Sequence, residues 1–438
     1  MKKLAWVVAA LVLAPHFASA PAVRAAEDEE KERRFENVQT RQRHAVGQKC
    51  AKVLEGIQTM VEAQQWQAAR TALEGAFAAC TTSYEKSQVY NFLGYVYYSL
   101  ERYRDAIGAY QKMIAEPDVD ERQAINTRYT IAQLYLVIED YASAARELEA
   151  WMRISPIVGP DAKVLLAQAY YQLDRKRDSL RLVEEAIAEV EAKGQLPKEG
   201  WWSLQRVLYY ERGDYAKVVE ILKKLIKHYP SFSYWRQLGG MYAELNRELD
   251  QLVVTDAVYL AGKLETDKQL LSLAYLYLGA NAPYMAARII EKGMREGTIP
   301  RNGENLELLG LAWQQAQDAK RALPILEEAA KLSSKGTIYA RLAGVYLDLD
   351  RNREAVVAAR NAIRRGGVRR VDITYMNLGN ALLNLHCYDQ AIEAFRKAAE
   401  DKRSARYANQ WIDYAKREGE RRRKLIEAGA KISACQLA

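Results

Sequence analysis

Apolar and polar positions along this chain alternate with a helical period, in a unit that repeats. Its clearest form reads Tyr90, Leu93, Gly94 and Tyr97, then Ala106, Tyr110 and Met113, with Pro117 behind. Spacings of three, one and three put the first four residues on one helix face, and spacings of four and three do the same for a second helix. The turn between them, from Leu100 to Arg102, makes the two antiparallel. Gly94 and Ala106 are small where the helices cross, and tyrosines and Leu93 fill the space around the crossing.

The unit recurs with a period of about 36 residues, which is the signature of a repeat architecture. The first copy starts near Cys50 and has Trp66, Ala69, Leu73 and Ala76 in its second helix. Later ones show Ile131, Ala132 and Tyr135; Leu166, Ala167 and Tyr170; Trp202 and Tyr209; and Trp235, Leu238, Gly239 and Tyr242. The series continues with Leu273, Ala274 and Tyr277; Leu309, Gly310 and Trp313; Leu342, Ala343 and Tyr346; and Leu378, Gly379 and Tyr388. The pattern predicts an all-α chain: a solenoid of about ten helix hairpins over residues 50–403. Gly56–Ile57 in the first copy and Gln251 in the sixth depart from the frame, as terminal and internal units of such arrays do.

The ends read differently. Lys2 and Lys3 precede an apolar run from Leu4 to Ala14, short for a bilayer span, so residues 1–25 are expected to be a signal peptide cut after Ala22 or Ala25, with an uncleaved signal anchor as the alternative. The expected compartment is the periplasm. Residues 26–49 are highly charged with little apolar periodicity, a frayed helix or tether. Residues 404–427 predict a capping helix with Trp411 and Tyr414 on one side and a basic face on the other, followed by a tail over 428–438.

Charge adds one feature. The formal net charge of +8 resides in residues 360–438, where 17 Lys and Arg face nine Asp and Glu. Arg403, Arg406, Arg417, Arg421, Arg422 and Arg423 make up the core of this basic end. It reads either as a solvated helix face or as a surface meeting an acidic partner or an anionic membrane. Nucleic acid is not expected as a partner in the periplasm.

Four cysteines in an exported chain suggest disulfides. Cys50 opens the first helix of copy one and Cys80 follows its second, so an antiparallel hairpin lays them side by side. That bond closes a loop of some 30 residues, a stabilisation of roughly 3–4 kcal/mol. Cys387 and Cys435 pair by elimination.

Catalytic chemistry finds no foothold. His16, His44, His228 and His386 have no partner at ligand spacing, and no phosphate loop, dinucleotide fingerprint, zinc motif or nucleophile elbow occurs. Neither enzyme activity nor a cofactor nor a metal is expected. A concave face is what the array offers. The position after each leading aromatic, and those four and seven beyond it, line the groove of first helices. That frame names Asn91, Tyr95, Tyr98, Tyr129, Gln133, Gln168, Tyr171 and Tyr210 as candidates to grip an extended peptide by ring contact and hydrogen bonding. The same side chains also suit packing between adjacent copies.

The repeating frame resembles the tetratricopeptide repeat over residues 50–400, which implies a right-handed superhelical solenoid that binds proteins. A closer similarity runs through YYQLDRKRDSL, LPKEGWWSLQRVLYYERGDYAKVVEIL, HYPSFSYWRQLGGMYAELN, LLSLAYLYLGANAPYMAARIIEKGM, NLELLGLAWQQAQDAKRALPILEEAA and DKRSARYANQWIDYAKREGERRR. These stretches resemble the exported proteobacterial proteins described as components of TonB energy-transduction systems. The resemblance implies association with TonB, ExbB or ExbD in iron-siderophore uptake; it supplies no ligand residues. The alternative is a scaffold for envelope biogenesis, in polysaccharide export or outer-membrane assembly.

Overall fold

A computed structural model describes residues 45–433 and 435–437. The expected signal peptide, and the tether up to residue 44, lie outside the described residues, as do His16 and His44. Among those described there are helices and turns and no strands. The chain divides into two compact units at Tyr229–Pro230.

The first unit holds five hairpins. They are α1 (Gln48–Glu62) with α2 (Trp66–Ala76), α3 (Ser83–Ser99) with α4 (Tyr103–Ala115), α5 (Glu121–Val137) with α6 (Tyr141–Ile154), α7 (Pro160–Gln172) with α8 (Lys176–Ala192), and α9 (Glu199–Glu211) with α10 (Tyr215–His228). The second holds five more: α11 (Phe232–Glu244) with α12 (Glu248–Leu260), α13 (Asp267–Gly279) with α14 (Pro283–Arg295), α15 (Gly303–Gln315) with α16 (Ala319–Leu332), α17 (Gly336–Asp348) with α18 (Asn352–Arg365), and α19 (Val371–Asn384) with α20 (Tyr388–Ala399). A last helix, α21 (Lys402–Glu427), covers the end of this second series.

Helix starts follow local chemistry. Thr82 and Glu85 form a reciprocal capping box at α3, Thr266 and Gln269 another at α13, and Pro160 and Pro283 occupy first turns where no donor is needed. Glu85 also accepts from Gly47 N at 2.8 Å, so one buried carboxylate ties the start of α1 to the start of α3. Backbone N–H donors, Thr82 foremost, hold that carboxyl below the ordinary Glu range against the opposing effect of burial.

Every hairpin turns in the same way. One residue adopts positive φ: Gln64, Glu101, Glu139, Asp174, Gly213, Asn246, Asn281, Gln317, Asp350 and His386 in chain order. The next residue's N–H reaches back five positions, as Arg102 N does to Tyr97 O at 2.9 Å and Arg351 N to Tyr346 O at 2.8 Å. This is the left-handed helix stop that satisfies otherwise orphaned carbonyls. In four turns the arginine following that residue also sits over the tyrosine it closes on, closest for Arg175 over Tyr170 at 3.8 Å.

The crossings need small residues. A Cβ on Gly94 would fall inside the Tyr110 ring, on Gly310 inside Leu326, and on Gly379 inside Phe395. In the second unit a single apolar cluster runs from Leu270 to Ile412, with Trp313 and Phe395 fully buried. Burying each such large side chain contributes about 1.5–3 kcal/mol, so neighbouring hairpins stabilise one another. The sixth hairpin is the irregular one: α12 buries only Val254 and Val258 and leaves Leu249, Val253 and Leu260 exposed.

Candidate interaction surface

In the first unit α3 and α5 lie in successive hairpins, and a concavity of about 360 Å³ opens along them. Asn91 of α3 and Tyr110 of α4 line it from one hairpin, and Asp120, Arg122, Gln123, Asn126, Thr127 and Thr130 from α5 and its cap. Gln88 Nε2 donates to Gln123 Oε1 at 3.3 Å between α3 and α5. Burial pushes the Tyr110 hydroxyl far above the usual phenol range, with Tyr95 and Tyr98 nearby adding to the effect. It stays neutral, and as a phenol it both donates and accepts.

Of the residues expected in the groove, Asn91 lines this concavity, and Tyr95 and Tyr98 lie near Tyr110 without lining it. Tyr95 is exposed and meets the edge of Trp66, with ring centroids 6.0 Å apart; Tyr98 leans on Tyr103 at the same distance. The others are spread out. Tyr129 packs on Trp151 at 4.7 Å, in a small cluster with Ile125 and Ala162. Gln133 and Gln168 are half-buried on α5 and α7. Tyr171 donates to Glu211 Oε1 at 2.8 Å, linking the fourth hairpin to the fifth, and burial with that bond raises its hydroxyl to about 12. Tyr210 is exposed beside Tyr215.

Gln123, Asn126 and Thr130 did not emerge from the sequence frame. Their spacing of three and four is a polar line on α5, a signal visible in the sequence. The frame pointed to Tyr129 instead, yet its neighbour Arg128 is drawn to Glu147 of α6 at 2.9 Å and the Tyr129 ring turns to Trp151.

At the other end, Arg403, Arg406, Arg417, Arg421 and Arg423 are exposed, whereas Arg422 is half-buried and donates to the Ser433 carbonyl at 2.9 Å. Of the two aromatics expected opposite the basic face of α21, Trp411 stacks on the buried Phe395 of α20 with centroids 6.1 Å apart, and Tyr414 meets Trp411 edge-on at 5.7 Å. Ser404, Ala408, Ile412 and Ala415 face the array, Trp411 borders that face, and Tyr414 is exposed, as are Arg417 and Arg421. Small residues let α21 approach closely, with the Trp411 ring packed at the edge of the contact.

Cys50 and Cys80 are bonded with a Cα separation of 4.8 Å, and Cys387 and Cys435 with one of 4.4 Å. The second bond holds the tail, where Gln436 N donates to Leu385 O at 2.8 Å and Arg353 to the Gln436 carbonyl at 2.9 Å. Among the described residues no group of three or more His, Cys, Asp or Glu is placed to hold a metal ion. His228 lies against Trp202, and His386 is the positive-φ residue of its turn.

No curated protein matches the chain. Among solved structures, a tetratricopeptide repeat protein from Parabacteroides merdae is 16% identical over 61% of this chain and 99% of its own, with a TM-score of 0.38. A MamA protein from Desulfovibrio magneticus is 16% identical over 42% of this chain and 96% of its own, at 0.35. The Cut9–Hcn1 hetero-tetramer structure of APC/C gives 13% identity over 84% and 91%, at 0.34. Two stretches match the tetratricopeptide repeat family, residues 58–120 and residues 374–400. The chain thus carries tetratricopeptide repeats in both compact units.

Proposed function

We propose that this chain is a protein-binding scaffold of the periplasm that takes an extended peptide segment along α3 and α5. The observation that carries the reading is the polar concavity, where amides and hydroxyls of two successive hairpins line one hollow with the neutral Tyr110 and the charged Asp120 and Arg122. Asn91, Gln123 and Asn126 each offer a donor and an acceptor, the complement of a peptide backbone, and Tyr95 and Tyr98 offer ring faces to side chains. Replacing Asn91, Tyr95 and Tyr98 together with alanine tests it. Loss of the partners crosslinked in cells, with the helix content kept, supports the reading; undiminished crosslinking removes it.

The partner class rests on the resemblance of six stretches to the exported proteins of TonB systems. On that reading the scaffold serves a TonB–ExbB–ExbD complex in iron-siderophore uptake. Deleting the gene is expected to slow siderophore-dependent growth. Unchanged growth in a strain with no other transducer, or crosslinks to synthases or exporters, transfers the role to envelope biogenesis.

A further inference from the structure

The last helix exposes side chains that a solvating cap does not need. Tyr407 and Tyr414 share one line of the helix, with Leu425 further along it, and they are 61%, 42% and 45% exposed; Trp411 between them is 37% exposed, its ring stacked on the buried Phe395 with centroids 6.1 Å apart. Arg406, Arg417, Arg421 and Lys424 run on the adjoining line, all exposed. Arg421 and Lys424 pair with Glu418 and Glu420 on the same helix, in exposed geometry that binds weakly. Arg406 and Arg417 form no ion pair among the described residues. The result is a strip of rings bordered by cations on one flank of α21.

We propose that this flank of α21 docks the protein on an anionic lipid bilayer. Tyrosine and tryptophan rings settle at the headgroup level, where an apolar body and a polar tip are both satisfied, and long arginine and lysine side chains reach lipid phosphates beside them. Shape favours a surface over a peptide. The hollow on this flank is bounded by Arg417, Glu420, Arg421, Lys424 and Leu425 of the one helix, three cations to one carboxylate, so no second wall encloses an extended chain. Charge disfavours a second copy, because pairing two such flanks sets cations against cations. No helix among the described residues is long and apolar enough to cross a membrane, so attachment through α21 is peripheral.

The test uses the exported full chain, sedimented with vesicles of phosphatidylcholine and phosphatidylglycerol in equal parts, and with phosphatidylcholine alone. Wild type is expected to pellet with the anionic vesicles and stay in solution with the neutral ones. The triple variant Arg406→Gln, Arg417→Gln, Lys424→Gln is expected to bind about tenfold more weakly or worse. The control Lys217→Gln, Lys223→Gln, Lys227→Gln on α10 removes the same charge elsewhere and is expected to change binding less than about twofold. A second variant, Tyr407→Ser with Leu425→Ser, keeps the charge and is expected to weaken binding severalfold. Circular dichroism establishes that each variant folds. The proposal is overturned by equal losses in the two triple variants, by equal binding to neutral vesicles, or by no binding to anionic vesicles. In that last case, retention of an acidic protein by wild type, lost in the first triple variant, assigns the flank to protein recognition.

Discussion

Ser404 donates its hydroxyl to Asp372 Oδ2 at 2.6 Å and thereby fastens the first turn of α21 to the start of α19. Arg370 grips the same carboxylate from Nε at 2.9 Å and Nη2 at 2.7 Å. Asp372 is buried, and the Arg370 guanidinium first, then Ser404, holds its carboxyl well below the usual Asp range although burial alone would raise it. Replacing Asp372 with asparagine is expected to lower unfolding free energy by about 2 kcal/mol at neutral pH. A depressed folded-state pKa stabilises above the unfolded value of about 3.9 and loses that contribution as pH falls towards the folded one. The wild-type advantage in urea unfolding therefore narrows below about pH 4. An equal gap at neutral and at strongly acid pH refutes this account.

Gly94 tests the helix crossing. Its missing side chain is what admits the Tyr110 ring, so Gly94→Val forces a backbone shift and is expected to destabilise the first unit by about 2–3 kcal/mol. Gly108 has open space around it, and Gly108→Ala on the adjacent helix is expected to be neutral or mildly stabilising. Thermal melts of the two variants separate crowding from helix propensity.

Gly213 is the one glycine among the ten left-handed turn positions. An alanine there meets the steric penalty of that region, so Gly213→Ala is expected to cost about 1 kcal/mol. The reverse change at the equivalent position of the eighth hairpin, Gln317→Gly, is expected to leave stability unchanged or raise it by a few tenths of a kcal/mol, since relief of strain is offset by unfolded-state entropy. Chemical denaturation midpoints of both variants check the sign.

Removing the bond between Cys50 and Cys80, by alanine at both positions, is expected to cost about 3 kcal/mol. The loss should be local. The first hairpin has neighbours on one side only among the described residues, so amide exchange in α1 and α2 is expected to accelerate well before that in α5 and α6. Uniform acceleration across the first unit would contradict that.

Much of the fold was legible because it is written at short range. Tyr90, Leu93, Gly94 and Tyr97 specify a helix face by period alone, and the recurrence of that frame marks ten hairpins whose helices the structure places at the same residues. The turns were harder to read. Nine of the ten left-handed residues carry side chains, and the backbone hydrogen bond across the turn, assisted in several by arginine over tyrosine, stabilises a conformation that composition does not advertise. The polar line of Gln123, Asn126 and Thr130 was visible as a pattern, but not as a wall of the concavity.

Sequence by itself determined which residues share a helix face and which positions must be small, since both follow from the helical period and from volume. Tertiary structure alone decided how each helix is rotated about its own axis. That rotation turns Tyr129 onto Trp151, stacks Trp411 on Phe395, and leaves Tyr407 at the uncovered flank of α21 while Ala408 and Ala415 meet the array. The physical reason is that a helix with apolar residues on more than one side has several ways to bury area, and the choice belongs to the neighbours it packs against.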